Sequence, residues 1–322
     1  MSSSSTRTSP PIAVGLAGIG LHGRRYADHL LRGDVPGARL AAVHRRDPIA
    51  GRQWSKDRGL HYCESLEGLV MSPHVELVVA VLPPALHPRA VELSAHARKP
   101  ILVEKPLAPD AESARRACEL VSQAGILAMV AHTLRFNAVV ARLRELIPQL
   151  GALSVVAINQ RFEPINREWL DQPEQGGLVL NTGIHGLDLL RYLTGTEIVR
   201  ACAQRRIPTG RSSEDTFTAL LTLEPGRILA TLDNTRTTSA RSGRIELCGE
   251  HGQLIADQIN GYLARVTGRG LEKLAVPAPV ATVREALATF VGAVVHGLPS
   301  PIPLEEGLAA VNAATLVREA WL

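Results

Sequence analysis

Two stretches of the chain carry side chains able to move protons or stabilise developing negative charge. The first is Lys99-Pro100-Ile101-Leu102-Val103-Glu104-Lys105-Pro106. Ile101 to Val103 reads as a short buried strand. Pro106 lacks a backbone N–H and cannot extend a ladder, so the strand stops there. An acid and an ammonium are thereby held on a rigid turn at the carboxyl end of a strand, the edge where open α/β sheets bind ligands. Taken alone, the pair reads equally as a surface ion pair closing a strand. The second stretch is Leu180 to Leu193, a predicted helix in which Asn181, His185 and Asp188 fall at i, i+4 and i+7 and share a face. Leu187, Leu190 and Leu193 form an apolar stripe beside them. An imidazole titrates near neutral pH, which suits His185 to proton transfer. A polar stripe in an apolar segment needs partners or solvent, and a buried His185–Asp188 structural pair satisfies the same pattern. Gly176-Gly177 ahead of the helix allows close backbone approach.

A third stretch offers backbone chemistry. The apolar run Ile12 to Ala17 enters Gly18-Ile19-Gly20-Leu21-His22-Gly23, and Arg24 to Leu31 follows with Tyr26, Leu30 and Leu31 at helical spacing. Strand, glycine turn and helix together are the context of the dinucleotide fingerprint. Gly18 permits the tight turn, Gly20 lets backbone approach a pyrophosphate, and Gly23 lets the helix pack close on the strand. Free N–H groups and the positive dipole end, around Leu21 and His22, then face the phosphates. The next strand, Ala38 to Val43, ends in His44-Arg45-Arg46-Asp47-Pro48. An NAD site places Asp or Glu there to bind the ribose 2′-hydroxyl. Here His44 holds that place and two arginines follow, and a guanidinium fork matches a phosphate better than a bare hydroxyl. The pattern favours NADP, with NAD the alternative; a solvated basic loop fits it too.

These residues must be positioned by a regular scaffold. Helix signals run from Pro48 to Arg58 and from Leu66 to Met71, and Leu77 to Leu82 is an almost wholly apolar strand stopped by Pro83-Pro84. A helix from Pro88 to Ala97, the strand before Glu104, a helix from Asp110 to Ala124 stopped by Gly125, and a strand from Ile126 to Ala131 complete the alternation. That pattern implies an α/β fold built on a doubly wound parallel sheet. Beyond Ala131 it changes. Val139 to Ile147 reads as a helix, and Leu153 to Arg161, Phe217 to Leu223, Ile228 to Asn234 and Arg244 to Leu247 read as strands separated by turns such as Pro225-Gly226. A mainly antiparallel sheet with helices on one face, an α+β domain, is expected. A last helix, Leu304 to Trp321, is predicted to turn Leu308, Val311, Ala314 and Leu316 inward. The expected division is a disordered Ser-rich tail over 1–11, a dinucleotide-binding domain over 12–131, and a substrate and oligomerisation domain over 132–322.

Composition narrows the classes. Over 322 residues, 45% are hydrophobic and 20% charged, an ordinary globular balance. The net charge of +4 is scattered and aromatics are only 3%, so nucleic acid is not an expected partner. Cys63, Cys118, Cys202 and Cys248 are far apart and form neither a disulfide framework nor a metal site, which points to a reduced, cytoplasmic setting. The first residues lack an apolar signal segment, and no apolar run reaches membrane-spanning length.

Jointly, these pieces resemble the Gfo/Idh/MocA oxidoreductases, nicotinamide-dependent enzymes of sugars, cyclitols and related polyols. The resemblance rests on Gly18 to Gly23, Pro83 with His87, Glu104-Lys105-Pro106, His132 to Asn137, Gly176 to His185 with Asp188, and the stretch from Pro301 to Ala320. It implies a Rossmann sheet followed by the α+β domain, in a homo-oligomer (dimer or tetramer). It implies that Lys105 sits beside nicotinamide and substrate, that Glu104 contacts the nicotinamide ribose, and that Leu82, Pro83 and His87 line the cofactor pocket. Hydride then passes between the nicotinamide and a carbinol carbon, with Lys105 supplying positive charge and His185 taking the proton. Asp188 or Asn181 would hold the histidine's tautomer, and Arg135 would add charge or bind a substrate hydroxyl. Asn181 departs from the family, which commonly has Asp there; an amide orients but does not take a proton near neutral pH. A silent cofactor- and sugar-binding sensor of the same fold is therefore the alternative.

Overall fold

The computed structural model describes residues 10–164, 172, 177–224 and 227–322. Residues 1–9 of the expected 1–11 tail, Gly176 and the Pro225-Gly226 turn lie outside the described residues. The first half follows the alternation read from the sequence: β1 (Ile12–Ala17), α1 (Leu21–Leu31), β2 (Ala38–His44), α2 (Pro48–Lys56), β3 (His61–Cys63), α3 (Leu66–Met71), β4 (Leu77–Ala80), α4 (His87–His96), β5 (Ile101–Glu104), α5 (Ala111–Ala124) and β6 (Ala128–Ala131). The six strands pair in parallel in the order β3-β2-β1-β4-β5-β6. β4 and β5 are buried throughout, which explains their apolar runs. Side chains start several helices: Asp47, Ser65 and Asp110 accept from Ala50 N, Gly68 N and Ser113 N. Gly125 closes α5 at φ 63°. Several details differ from the expectation: β6 begins at Ala128, not Ile126, and α2 ends at Lys56, not Arg58. β4 ends at Ala80, not Leu82, because its partner β1 turns away after Ala17. β3 has only three residues and no apolar run, so nothing in its composition announces it.

The second half comprises α6 (Ala138–Leu146), β7 (Leu153–Arg161), a π turn (Val179–Gly183) running into α7 (Ile184–Thr194), β8 (Ile198–Arg206), β9 (Thr216–Leu223), β10 (Ile228–Thr235), β11 (Ser242–Gly249), β12 (Gly252–Asp257), β13 (Tyr262–Thr267), β14 (Gly270–Lys273), α8 (Thr282–His296) and α9 (Leu304–Glu319). Eight strands pair in the order β14-β13-β12-β11-β7-β10-β9-β8, antiparallel except β7 with β10. α7 packs on β7 and β10, so closely that a Cβ on Gly186 would lie 2.5 Å from Leu232 Cδ1. The other face of the sheet leaves Val155, Leu220 and Leu229 about half exposed.

α9 returns to the first half and packs on α5 and β6 while also touching α7 and β8. Its buried residues are Leu304, Gly307, Ala310, Val311, Ala313, Ala314 and Val317, whereas Leu308 and Leu316, expected inward, are half-buried. Small residues face in because α9 is wedged tightly: a Cβ on Gly307 would lie 3.0 Å from Leu107 Cβ.

Candidate active site

The glycine turn leaves open space at the start of α1. Gly18 has φ 96°, and a Cβ there would lie 2.1 Å from Val81 O; a Cβ on Gly23 would lie 1.8 Å from Gly18 O. A Cβ on Gly20 would meet nothing within 4 Å, so it borders open space at the start of α1. α1 has no side-chain cap, and the first of its amides with a main-chain acceptor is Arg24 N, bonded to Gly20 O. The preceding N–H groups and the dipole's positive end face the same opening, where Leu21 stands 74% exposed. This open cradle fits a dinucleotide pyrophosphate. Gly18 N also donates to His44 O at 2.9 Å, fixing the end of β2 beside the turn. His44 Nδ1 donates to Cys63 O (3.0 Å), Arg45 is half-buried and Arg46 exposed. Leu82 (half-buried) and Pro83 (exposed) follow β4 on the same edge.

Glu104, at the end of β5, points beneath this turn and is 5% exposed. Its Oε1 accepts from His22 Nε2 (2.7 Å) and Tyr26 Oη (2.6 Å), and its Oε2 from Lys105 N (3.0 Å). Burial acts to raise its pKa, but the His22 bond and charge, Lys105 and Tyr26 together hold it down at about 2. The same partnership, after burial, pushes the Tyr26 phenol well above its usual value. Glu104 thus ties the glycine turn and α1 to the end of β5. His87 is fully buried, and its Nδ1 donates to Pro106 O (2.6 Å), clamping the turn that carries Lys105; burial lowers its pKa.

Lys105 reaches across to the second half, where its Nζ donates to the main-chain oxygen of Asn181 in the π turn at 2.7 Å. His185 lies one turn further on. Its Nδ1 is buried and has no hydrogen-bond partner among the described residues. Burial first, then the charges of Lys105 and His132, hold the His185 pKa well below 6.5, against a smaller opposing pull from Glu104. Burial likewise lowers the Lys105 pKa, with Glu104 opposing and Arg236 adding to the fall. The ammonium of one half is therefore near enough to the imidazole of the other to lower its pKa. Gly177, with φ 57°, admits the Glu214 carboxylate where a side chain would stand, and Glu214 Oε1 accepts from Val179 N (3.0 Å) at the head of the π turn.

The partners of the remaining residues differ from the sequence reading. Asp188 is 1% exposed and does not hold His185; it takes the Arg135 guanidinium through Nε (3.1 Å to each oxygen) and Nη2 (2.5 Å), with His132 Nδ1 at 3.6 Å. Arg135 continues to Glu306, Glu306 to Arg191, and Arg191 to Glu197. Arg135 is thus committed to an internal network. The Asn181 Oδ1 accepts from Thr182 Oγ1 at 3.2 Å. A cavity of about 380 Å³ opens beside Asn181, bounded also by Leu178, Arg206, Glu214 and Arg236.

Sequence reasoning missed Tyr26, His132, Thr182, Arg236 and Glu306. Tyr26 reads as an ordinary apolar helix position. His132 directly follows β6 and Arg236 directly follows β10; for His132, the end-of-strand logic that singled out Lys105 was available. Arg236 Nε donates to Thr182 Oγ1 at 2.9 Å, a contact no local spacing foretells.

A parallel six-stranded sheet with an open glycine cradle, joined to an α+β half through the Lys105 bond to Asn181, defines a two-domain dinucleotide-binding protein. Residues 12–132 match the family model described as an oxidoreductase family with an NAD-binding Rossmann fold, and residues 140–255 match the GFO/IDH/MocA C-terminal domain. The chain belongs to the Gfo/Idh/MocA family of oxidoreductases. It is 29% identical over 267 residues to the inositol 2-dehydrogenase of Rubrobacter xylanophilus, covering 80% of this chain and 74% of that one. It is 28% identical to the 1,5-anhydro-D-fructose reductase of Ensifer adhaerens, covering 93% and 95%. The crystal structure of scyllo-inositol dehydrogenase from Lactobacillus casei with NAD(H) and scyllo-inositol shares the fold, with a TM-score of 0.83, 21% identity and 97% coverage of each chain.

Proposed function

We propose that this oxidoreductase exchanges a hydride between the nicotinamide of NADP and a carbinol or carbonyl carbon of a sugar, cyclitol or related polyol. The observation that carries the reading is the Lys105 bond to Asn181, which draws an ammonium of the dinucleotide-binding half to within one helical turn of His185. The bound nicotinamide supplies the hydride acceptor or donor at its C4. In the oxidation direction the substrate C–H leaves as hydride, the hydroxyl proton passes to His185, and a carbonyl remains. His185 is suited to the proton because burial and its positive neighbours keep the imidazole neutral at pH 7. Lys105 offers positive charge to the oxygen as its proton departs, from a half-buried position where the field is less screened than in water. Asn181 lies outside this proton path, with its Oδ1 given to Thr182, so an amide in place of Asp does not by itself silence the site. Arg135 holds Asp188 in place, with His132 beside it.

Supporting NADP, Arg45 and Arg46 have no carboxylate partner among the described residues, and the neighbouring acid, Asp47, is spent on capping α2. The names of the inositol dehydrogenase relatives support a cyclitol or polyol substrate. A reduced, cytoplasmic setting is in keeping with four free cysteines. The half-exposed apolar residues on the open sheet face support a homo-oligomer.

The test is turnover over a panel of inositols, polyols and keto sugars, followed at the absorbance of the reduced nicotinamide, with cofactor affinity measured in parallel. Lys105→Ala and His185→Ala are each expected to lose about 100- to 1000-fold in kcat while still binding cofactor. Near-full turnover in both variants overturns the roles.

A further inference from the structure

We infer that Glu214 binds the substrate, supplying to the cavity beside Asn181 a carboxylate that accepts a hydroxyl of the polyol. The inference rests on the function proposed above and deepens it. Two carboxylates border that cavity of about 380 Å³, Glu214 and Asp215. Asp215 is committed: its Oδ1 and Oδ2 accept from Arg206 Nε (3.0 Å) and Nη2 (2.6 Å). Glu214 has no ion-pair partner among the described residues. Its Oε1 accepts from Val179 N at 3.0 Å, and its Oε2 takes no hydrogen bond among the described residues. The main chain next to it is pinned. Asp215 N donates to Arg206 O (3.1 Å), and Arg236 N donates to Asp215 O (2.9 Å). These bonds close the connection between β8 and β9 and present Glu214 to the π turn.

Gly177 marks where the carboxylate stands. A Cβ on Gly177 would lie 2.7 Å from Glu214 Oε1 and 2.6 Å from Oε2, so both oxygens cover the place a side chain would take. Gly177 and Asn181 border the same cavity. They are four residues apart, about one helical turn, and His185 follows at the next such step. A cyclitol or sugar ring carries hydroxyls on both sides, so one meets His185 while another meets Glu214. The Asn181 amide brings no charge, whereas an ionised carboxylate is acceptor-only and suited to a hydroxyl proton. Hydrogen bonds to such a charged acceptor are the strong ones. This hydroxyl is remote from the reacting carbon, so its bond to Glu214 is equally strong before and during hydride transfer. An interaction of that kind lowers KM and leaves kcat alone.

Glu214→Gln separates binding from architecture, because it keeps an oxygen for Val179 N and loses the charge. Steady-state kinetics are measured on the polyol that the wild type turns over best and on its single-deoxy analogues, with cofactor titration and thermal melting alongside. The variant is expected to raise KM at least tenfold, to keep kcat and cofactor affinity within about threefold, and to leave melting and the acid limb of the kcat/KM profile unmoved. The analogue lacking the hydroxyl that Glu214 accepts should serve wild type and variant equally, within about threefold, while the other analogues show the full loss. Glu214→Asp draws the carboxylate back by one methylene; it is expected to show the same rise in KM and serves if the glutamine variant does not fold. A KM within about threefold of wild type, or an equal loss on the parent polyol and every analogue, overturns the binding role and leaves the oxidoreductase standing. A folded, cofactor-bound wild type that turns over no polyol, inositol or keto sugar overturns the two together.

Discussion

His185 is the residue on which a pH prediction falls. Burial and the charges of Lys105 and His132 hold its pKa well below the ordinary 6.5. Its proton-accepting form therefore persists as pH falls through the range where a free imidazole is lost. In the oxidation direction, kcat/KM is expected to hold through pH 6.5 and to fall off only on the acid side of it. Removing the neighbouring charge with Lys105→Met should raise the acid limb toward 6.5 as overall activity drops. A pH–rate profile checks both, and a wild-type limb at or above 6.5 contradicts the assignment. At this scale the sequence was legible where chemistry coincided with a local period: Lys105 ends a strand, and His185 lies on a helix face. It was silent on who pairs with whom. Asp188 was expected to serve its neighbour His185, but its guanidinium comes from Arg135, 53 residues away, and no spacing rule connects the two.

The glycine turn between β1 and α1 separates stability from binding within three residues. A methyl on Gly23 would collide with Gly18 O, a backbone atom that cannot swing aside. Gly23→Ala is thus expected to lower the melting temperature markedly, by a mechanism equivalent to overpacking, which costs about 1–3 kcal/mol or more. Gly20 has φ −72° and open space before it, so Gly20→Ala is expected to leave melting nearly unchanged while weakening cofactor at least tenfold, because the methyl occupies the approach to the phosphates. Calorimetric titration beside thermal melting distinguishes the two; equal losses in both variants would refute this division. The parallel strands were readable as elements because full burial makes them unbroken apolar runs. β3 was not, having three residues and its support from β2 alone. β8 and β14 also escaped notice, since most of their positions are exposed; β12, β13 and α8 went unread as well, although α8 buries Val283, Ala286, Leu287, Phe290 and Val291 at helical spacing. The π turn escaped as well; helical periodicity ran straight through Val179–Gly183, where the ladder widens to let the Asn181 oxygen face Lys105.

Across the molecule, the open face of the eight-stranded sheet offers a test of assembly. Leu220 and Leu229 lie on adjacent strands, paired with Thr231 and Thr222, and are 52% and 49% exposed. Replacing both with arginine is expected to convert the proposed homo-oligomer to a monomer in light scattering, with cofactor affinity retained because the cradle lies in the other half. A wild type that already runs as a monomer removes this role for the face. The two-layer plan was legible from the switch in pattern after Ala131, but the return of α9 to the first half was not, since its small inward residues make no amphipathic stripe.

That return has a mechanical corollary. α9 is gripped by α5 and β6 on one side and by α7 and β8 on the other, Ile302 O bonds Val130 N just before it, and Ala320 and Leu322 bond Ala203 just after it. A single rod bolted to both halves resists shear between them. Whatever opens the cleft for a substrate must bend loops around that rod and cannot swing one half away from the other. Heat should likewise melt the pair as one body.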